Sequence, residues 1–431
     1  MRRGNDDLLD RVARKVEAEQ EALVRLLQEM IRIPSVTGDE KNLARYCLEK
    51  MRDLGLETDT WEPDVQMLQQ HPEFAPNATS FKGRPNVVGR LRGAGGGRSL
   101  ILNGHLDVVA PGSRDLWSYG PWSGDVAQGR VYGRGANDMK AGLAISLMAV
   151  QWLRDMGIDL RGDLILQFVV DEELGGNGTL SAILRGYTAD GALQLEPTGM
   201  GNIIVGHRGS LAFQVTTGGR PVAWENRGKG ENAINNIAVI IDAIRHFGEQ
   251  RRRSASHPRF AEYENPVPVY VGTVHGGYWI AANPLRCTVE GVIGWLPGET
   301  IEQVKREFVD TLLEITSQDA RYRGRPPQVT FPAHHIRPCL VDEGHPIVAA
   351  VQEAARTILH REPCLKVNNG GSDQWLLHTC GHTPTVQLGV SLCNAHSPDE
   401  YVQTEELVAV AKIVLLAVMA WCGVEGATAR G

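Results

Sequence analysis

Four apolar runs, each the length of one strand, constrain the fold of this chain more than any other feature. They lie at residues 99–109, 163–170, 191–195 and 383–390. The runs are continuously apolar rather than alternating, which is typical of central strands covered by helices on both faces of a sheet. A helix is predicted at residues 139–156, between the first two runs. The pattern indicates an α/β fold with a mostly parallel sheet.

A different pattern occupies the middle of the chain. Strand-like and helical segments follow one another there in the order βαββαβ, at residues 211–217, 232–247, 267–274, 286–295, 300–315 and 327–331. This order is that of a ferredoxin-like split-βαβ sandwich. A chain of 431 residues is long enough for two domains. We therefore predict a first domain formed by residues 1–208 and 325–431, with a second domain inserted at residues 209–324.

Composition indicates which classes of partner and which cellular location to expect for the chain. The 51 acidic and 44 basic residues give a net charge of −7, without a basic block, which argues against a nucleic-acid partner. No apolar segment follows Met1, and no run approaches 18 apolar residues, so neither a signal peptide nor a membrane-spanning helix is predicted. The seven cysteines lack Cys-x-x-Cys spacing, so a disulfide scaffold is not expected and the cytoplasm is the default location.

Histidine and carboxylate residues mark the ends of three of the apolar runs. His105 and Asp107 lie near the end of the first run, Glu172 and Glu173 follow the second, and Glu196 follows the third. Functional sites of parallel sheets collect at the carboxyl ends of the strands, so we expect these side chains to converge. The adjacent carboxylates would repel each other unless a cation or a shared proton relieved them. One of the pair is then a metal ligand, and its neighbour is available as a general base.

Two further candidate ligands lie in loops. Asp138 follows a Gly-rich turn at the start of the predicted helix, where it would otherwise cap that helix. His396 lies in a loop of small residues. Two histidines and several carboxylates in one place would hold two divalent cations. Such a pair, about 3.5–4 Å apart, lowers the pKa of a water that both cations share, so the pattern predicts a hydrolase.

These residues resemble the dinuclear-zinc aminoacylase/carboxypeptidase family, which includes acetylornithine deacetylase, succinyl-diaminopimelate desuccinylase and glutamate carboxypeptidase. The similarity runs from about residue 24 to residue 418. It implies a zinc-exopeptidase-like fold in which His105 and Glu196 hold one metal, Glu173 and His396 hold the other, and Asp138 bridges them. Zinc is the expected metal, although carboxylate-rich dinuclear sites also accept manganese or cobalt.

The same resemblance implies roles for the remaining residues. Glu172 would be the general base, taking a proton from water and passing it to the departing nitrogen. Asp107 would orient His105 through a carboxylate contact to the other ring nitrogen. The inserted domain would be a lid and, in a homodimer or higher homo-oligomer, the dimerisation surface.

The sequence departs from the family pattern in two places. Ala223 stands where the family has a histidine that helps to bind the oxyanion. This alanine is explained by an engineered replacement, by a naturally inactive protein, or by a reaction that does not build a localised carbonyl oxyanion. The family's Asp-x-Arg-x-x-Pro run is also missing, because residues 292–297 read Val-Ile-Gly-Trp-Leu-Pro. Amino-acid amides are a less secure substrate class as a result.

Four residues are candidates for binding a small-molecule substrate. Arg208, at the entrance to the inserted domain, would bind a carboxylate, and His275 would line the pocket. Gly371 and Ser372 belong to a glycine loop whose N–H groups would hold an anion. The predicted function is hydrolysis of the amide C–N bond in a small N-acyl amino acid or peptide-like molecule. The alternatives are a hydrolytic deaminase of an aromatic or heteroaromatic amine, and a metal-stabilised binding or regulatory protein without turnover.

Overall fold

A computed structural model describes residues 2–222, 224–332 and 335–425. The helices are α1 Arg2–Ala18, α2 Gln20–Ile31, α3 Lys41–Asp53, α4 Val65–Leu68, α5 Ala141–Asp155, α6 Asn177–Leu184, α7 Ala233–Ser254, α8 Ile301–Ser317, α9 Pro346–Leu359 and α10 Thr404–Cys422. The strands are β1 Glu57–Trp61, β2 Asn86–Leu91, β3 Leu100–His105, β4 Val126–Ala127, β5 Arg130–Tyr132, β6 Leu164–Val169, β7 Gly191–Gln194, β8 Asn202–His207, β9 Gly209–Gly218, β10 Val269–Gly276, β11 Arg286–Trp295, β12 Gln328–Thr330, β13 His335–Ile336, β14 Cys339–Leu340, β15 Cys364–Asn368, β16 Thr385–Gln387 and β17 Tyr401–Gln403. No helix among the described residues is both long enough and apolar enough to cross a lipid bilayer.

The chain divides into two compact units. The first comprises Met1–Gly206, Val341–Lys366 and Ser372–Gly431, and the second comprises His207–Leu340 and Val367–Gly371. The second unit therefore extends to Leu340, beyond the predicted boundary at residue 324. The reason is strand pairing, since β12 and β13 both lie beyond residue 324 and both pair with β9.

The first unit is built on a sheet in which the strands follow the order β1-β2-β6-β3-β7-β16-β8. The four central strands β6, β3, β7 and β16 are parallel, and β1, β2 and β8 are antiparallel to their neighbours. Every residue of β3 and β6 is buried. The predicted α/β fold with a mostly parallel central sheet is confirmed, and each of the four apolar runs contains one of the central strands.

Helices cover both faces of this sheet. Leu143 of α5 lies against Gly104 of β3, at a point where any side chain on Gly104 would collide with it. Ile101 points to the opposite face and packs in a cluster with Ile165 and with Ile183 of α6. Residues 141–150 of α5 are all buried, as expected for a helix that is apolar on every side. The covering helices leave the carboxyl ends of the central strands free to build a site.

The second unit has the predicted βαββαβ order, formed by β9, α7, β10, β11, α8 and β12. Its strands pair antiparallel in the order β10-β11-β9-β12, and β13 also pairs with β9. Phe213 of β9, Phe247 of α7 and Phe308 of α8 form the centre of its core. Asn232 caps α7 by accepting a hydrogen bond from the Ile234 N–H, and Thr300 caps α8 in the same way.

Candidate metal centre

Three adjacent parallel strands bring four of the predicted site residues to one edge of the sheet. His105 is the last residue of β3, Glu172 and Glu173 lie in the turn that follows β6, and Glu196 lies two residues beyond β7. Since β6, β3 and β7 are neighbours in the sheet, their carboxyl ends are adjacent. The sequence therefore specifies this part of the site through strand ends alone.

The remaining two candidate ligands come from loops that are distant in the sequence. Asp138 lies in the turn Ala136–Lys140, which precedes α5 and contains a cis peptide bond between Asp138 and Met139. The Asp138 side chain contacts two histidines, and α5 has no side-chain cap at its start. His396 lies in the loop before β17, where its backbone is left-handed, with φ of 59°.

Asp138 stands between the two histidines. Its Oδ1 is 3.1 Å from His105 Nε2, and its Oδ2 is 3.2 Å from His396 Nε2. His105 Nε2 also lies 3.8 Å from Glu196 Oε1 and 3.9 Å from Glu172 Oε2. His396 Nε2 lies 3.1 Å from Glu173 Oε2. Each oxygen of one carboxylate thus faces a different histidine, and each histidine has acidic neighbours of its own.

The donor set fits divalent cations. Two triads have ligand atoms within 4.8 Å of one another, namely His105, Asp138 and Glu173, and His105, Glu172 and Glu196. Glu173 Oε1 is buried and has no hydrogen-bond partner among the described residues. A buried carboxylate oxygen without a partner is costly unless a cation satisfies it. His396 belongs to neither triad but contacts Asp138 and Glu173, which are members of one.

The electrostatics of the site have the same character. Burial raises the pKa of Glu172 well above its ordinary value, the charge of His105 opposes this, and the neighbouring carboxylate charges add to it. Burial also raises the pKa of Glu196. Hydrogen bonds to Asp138 and Glu173 raise the pKa of His396 to about 10. Burial opposes protonation of His105, yet the charge of Glu196 and the hydrogen bond to Asp138 still raise its pKa. Several anions therefore compete for protons here, which is the environment that a bound cation relieves.

Asp107 is placed differently from the prediction. The atom that contacts His105 Nδ1 is the main-chain oxygen of Asp107, at 2.8 Å, while its carboxylate Oδ1 is 3.8 Å away. The carboxylate instead accepts hydrogen bonds from the N–H groups of Glu172 and Glu173 and from the Thr37 hydroxyl. Its side chain points away from His105 because two N–H groups of that turn and the Thr37 hydroxyl together outweigh one ring nitrogen. Asp107 therefore orients His105 through its backbone and the Glu172–Glu173 turn through its side chain.

A buried ion network fixes the other side of that turn, and the sequence analysis missed it. Arg84 pairs with Glu40 at 2.7 Å and with Asp171 at 3.0 Å, and all three side chains are buried. Asp171 immediately precedes Glu172 and has a left-handed backbone, with φ of 70°. The Asn177 amide also donates to Asp171. Because these partners are far apart in the sequence, no local spacing signals them.

The residues predicted to bind substrate are divided between the two units. In the second unit, Arg208 Nε donates to the main-chain oxygen of Asn369 at 2.5 Å, and His275 is exposed on β10. Gly371, also in the second unit, lies close against Ile336. These three roles remain predictions.

Ser372, in the first unit, is largely buried and donates from its hydroxyl to Gln194 Oε1 at 3.2 Å. Gln194 in turn donates to Glu196 Oε1 at 3.2 Å. Ser372 thus reaches the candidate metal centre through a hydrogen-bond chain, and its role towards substrate remains a prediction. Ala223, which occupies the oxyanion-histidine position of the resemblance, lies outside the described residues.

Comparison with known proteins identifies relatives over nearly the whole chain. The profile of Peptidase family M20/M25/M40 matches residues 101–420. The chain is 29% identical to N-formyl-4-amino-5-aminomethyl-2-methylpyrimidine deformylase of Bacillus subtilis (strain 168), over 97% of this chain and 98% of the relative. It is 33% identical to succinyl-diaminopimelate desuccinylase of Methylorubrum populi, over 89% of this chain and 94% of the relative.

The fold is similar to that of solved structures. A dinuclear metal binding peptidase of the M20 family from Bacillus subtilis superposes with a TM-score of 0.64, covering 94% of this chain and 99% of that one. The two sequences are 16% identical, so this likeness concerns the fold.

Proposed function

The chain belongs to Peptidase family M20/M25/M40 and is a metal-dependent hydrolase of C–N bonds, and we propose that it removes a short acyl group from the nitrogen of a small amine. The observation that carries the proposal is the placement of Asp138, whose two carboxylate oxygens face one histidine each. That arrangement suits a carboxylate shared by two cations. In the proposal, His105 and Glu196 complete one cation site, and Glu173 and His396 complete the other.

Two bound cations would supply positive charge that polarises the acyl carbonyl and makes a nearby water more acidic. The proposal of a cation at this position is supported by Glu173 Oε1, which is buried and has no hydrogen-bond partner among the described residues. Zinc is the metal that we propose, and manganese and cobalt are the alternatives. Elemental analysis of the purified protein distinguishes them.

Glu172 is the proposed general base. Its mostly buried carboxylate lies 3.9 Å from His105 Nε2, and its raised pKa gives it a greater affinity for protons than an exposed glutamate has. It takes one proton from the attacking water and delivers it to the departing nitrogen, so the products are the free carboxylic acid and the amine. Asp107 keeps this base in place by accepting the N–H of Glu172.

The proposed substrate is a formyl or similarly small acyl amide of an amine carried by a heteroaromatic ring. The deformylase relative, named for a formylated aminomethylpyrimidine, aligns over 97% of this chain. The missing Asp-x-Arg-x-x-Pro arginine at residues 292–297 argues against a required amino-acid carboxylate. N-succinyl amino acids are the second candidate, because a desuccinylase is 33% identical to this chain.

The test is a substrate panel with the zinc-loaded protein. The panel contains an N-formyl aminomethylpyrimidine, N-succinyl-diaminopimelate and the corresponding amines without an acyl group. We expect release of a primary amine from the formyl compound and little turnover by Glu172→Gln. Release of ammonia from the unacylated aromatic amines would replace the proposal with a deaminase. Failure to turn over any compound, despite tight binding of one of them, would favour a binding protein.

Two finer expectations belong to the same proposal. Homo-oligomerisation through the second unit is supported by its outermost strand β10, where Tyr270 and Val274 are exposed. The mass of the protein in solution, measured by light scattering, tests it. A cytoplasmic location is supported by the seven cysteines, all of which are free thiols.

A further inference from the structure

One buried carboxylate, Glu400, is hydrogen bonded to the turn that carries Asp138. Its Oε1 accepts the N–H groups of Asn137 at 3.1 Å and Asp138 at 3.2 Å. Its Oε2 accepts the Gly135 N–H at 3.0 Å and pairs with the Arg134 guanidinium. Glu400 is fully buried. Four donors from residues 134–138 therefore converge on a single side chain that lies more than 260 residues away in the sequence.

Glu400 also belongs to the loop that carries His396. It lies four residues after His396 and directly before β17, and its main-chain oxygen accepts the Gly133 N–H at 2.9 Å. Asn137 makes a second connection between the same two segments. Its side-chain amide donates to the main-chain oxygens of Cys393 at 2.7 Å and Tyr401 at 3.0 Å. The two loops that supply Asp138 and His396 are thus held together by side chains that touch neither histidine.

The His396 loop needs such support because of its backbone. Asn394, His396 and Asp399 all have left-handed conformations, with φ between 55° and 59°. Non-glycine residues persist in this region only when the surrounding structure holds them there. Asp399 Oδ1 accepts the Ser118 N–H at 2.7 Å, and the Asn394 side-chain amide donates to the main-chain oxygen of Asp399. Glu400 is the next residue and forms the buried end of this anchored loop.

We propose that Glu400 is a positioning residue that sets the spacing of Asp138 and His396 and thereby the affinity of the cation site they share with Glu173. This inference rests on the proposed function, since it takes the six site residues as metal ligands and base. His105 and Glu196 come from strand ends, which Glu400 does not contact. Asp138 faces both sites, whereas His396 contacts the one that contains Glu173, so a change at Glu400 affects that site more strongly than the other.

The test measures cation binding rather than turnover. Zinc is titrated into metal-free protein in competition with a chromophoric chelator, which gives a dissociation constant for each step. Glu400→Gln leaves one carbonyl oxygen for four donors, and we expect one of the two binding steps to lose about 10–100-fold in affinity. The other step, which involves Asp138 but not His396, should lose clearly less affinity. When cobalt replaces zinc, the visible absorption of the ion bound by Glu173 and His396 should also differ between Glu400→Gln and wild type.

Val414→Ala is the matched control for lost stability. Val414 is fully buried in α10, the helix that follows β17. Among the described residues, no hydrogen bond joins Val414 to the loops that carry Asp138 and His396. We expect a lower melting temperature and unchanged zinc affinities. Asn137→Ala is the second variant, which loosens the same connection without a buried charge, and it too should weaken one step selectively.

Three results overturn the inference. The first is that both variants, Glu400→Gln and Asn137→Ala, bind two zinc ions as tightly as wild type. The second is that both variants lose no more zinc affinity than Val414→Ala does when all three have lost the same stability. If the wild-type protein itself bound no zinc ion, the proposed function would fail together with the inference. Wild type binding two ions while the variants remain unaffected would remove the inference alone.

Discussion

At the scale of single residues, the site is defined by carboxylates that are buried without enough donors. Glu173 Oε1 has no partner among the described residues, and Glu172 and Glu196 both have raised pKa values because they are buried. A folded protein tolerates such a cluster when the carboxylates are protonated or when charge of the opposite sign is bound there. The side chains of His105 and His396, facing opposite oxygens of Asp138, indicate where that charge belongs.

Replacing the proposed base tests its role directly. Glu172→Gln keeps the shape of the side chain but removes its basicity, so kcat should fall by about 10²–10⁴-fold. Glu172 also belongs to a triad with His105 and Glu196, so zinc content must be measured on the same sample. A base that is not a ligand leaves two zinc ions bound. Unchanged kcat would remove Glu172 from the mechanism.

Asp107 provides a second test at this scale. Asp107→Asn places an amide N–H₂ group against the N–H donors of Glu172 and Glu173, so kcat should fall by about 10–100-fold. Thr37→Val is the matched control, because it removes one of three donors and leaves the turn's N–H groups bonded. The main-chain contact to His105 persists in both variants. Equal activity of Asp107→Asn and wild type would contradict the assigned role.

At the scale of elements, the strands were readable from sequence and the connections between distant loops were not. Continuous apolar runs predict β3, β6, β7 and β16, and polar residues at or just beyond the ends of the first three strands include His105, Glu172 and Glu196. The role of Glu400 could not be predicted from the sequence, because its four donors lie near residue 135, more than 260 residues away. The direction of the Asp107 carboxylate was missed for a similar reason, since it depends on the turn after β6 and on Thr37. Local pattern identifies ligands, whereas tertiary contacts decide what orients them.

The caps of the second unit allow an element-scale prediction. Asn232→Ala removes the side-chain acceptor at the start of α7, so the free energy of unfolding of that unit should fall by about 0.5–2 kcal/mol. Asn235→Ala, at an exposed position of the same helix, is the control and should cost nothing, because alanine is the better helix former. Urea unfolding followed by circular dichroism provides the measurement. Equal midpoints for the two variants would contradict the capping role.

At the scale of the whole molecule, buried carboxylates make the stability of the metal-free protein depend on pH. Burial raises the pKa of Asp373 to about 7, although the Thr179 hydroxyl favours its charged form. The folded, metal-free protein therefore holds this proton more tightly than the unfolded chain, whose aspartates titrate near pH 4. The stability that this proton provides is present below about pH 4 and is lost as the pH rises to about 7.

Asp373→Asn isolates that contribution. The variant has no proton to lose, so the free energy of unfolding of metal-free wild type should fall relative to the variant between about pH 4 and pH 7. Parallel urea titrations across this range, with chelator present, measure the difference. A constant difference between the two proteins at every pH would show that Asp373 does not titrate in this window.

Crystals of the zinc-loaded protein, with anomalous diffraction collected on both sides of the zinc absorption edge, test the central claim most directly. We predict two anomalous peaks about 3.5–4 Å apart. One peak should lie beside His105 and Glu196, the other beside Glu173 and His396, and Asp138 should contact both. A zinc-replete crystal with no peak within bonding distance of Asp138, or with His105 and His396 bound to no common site, would contradict the account.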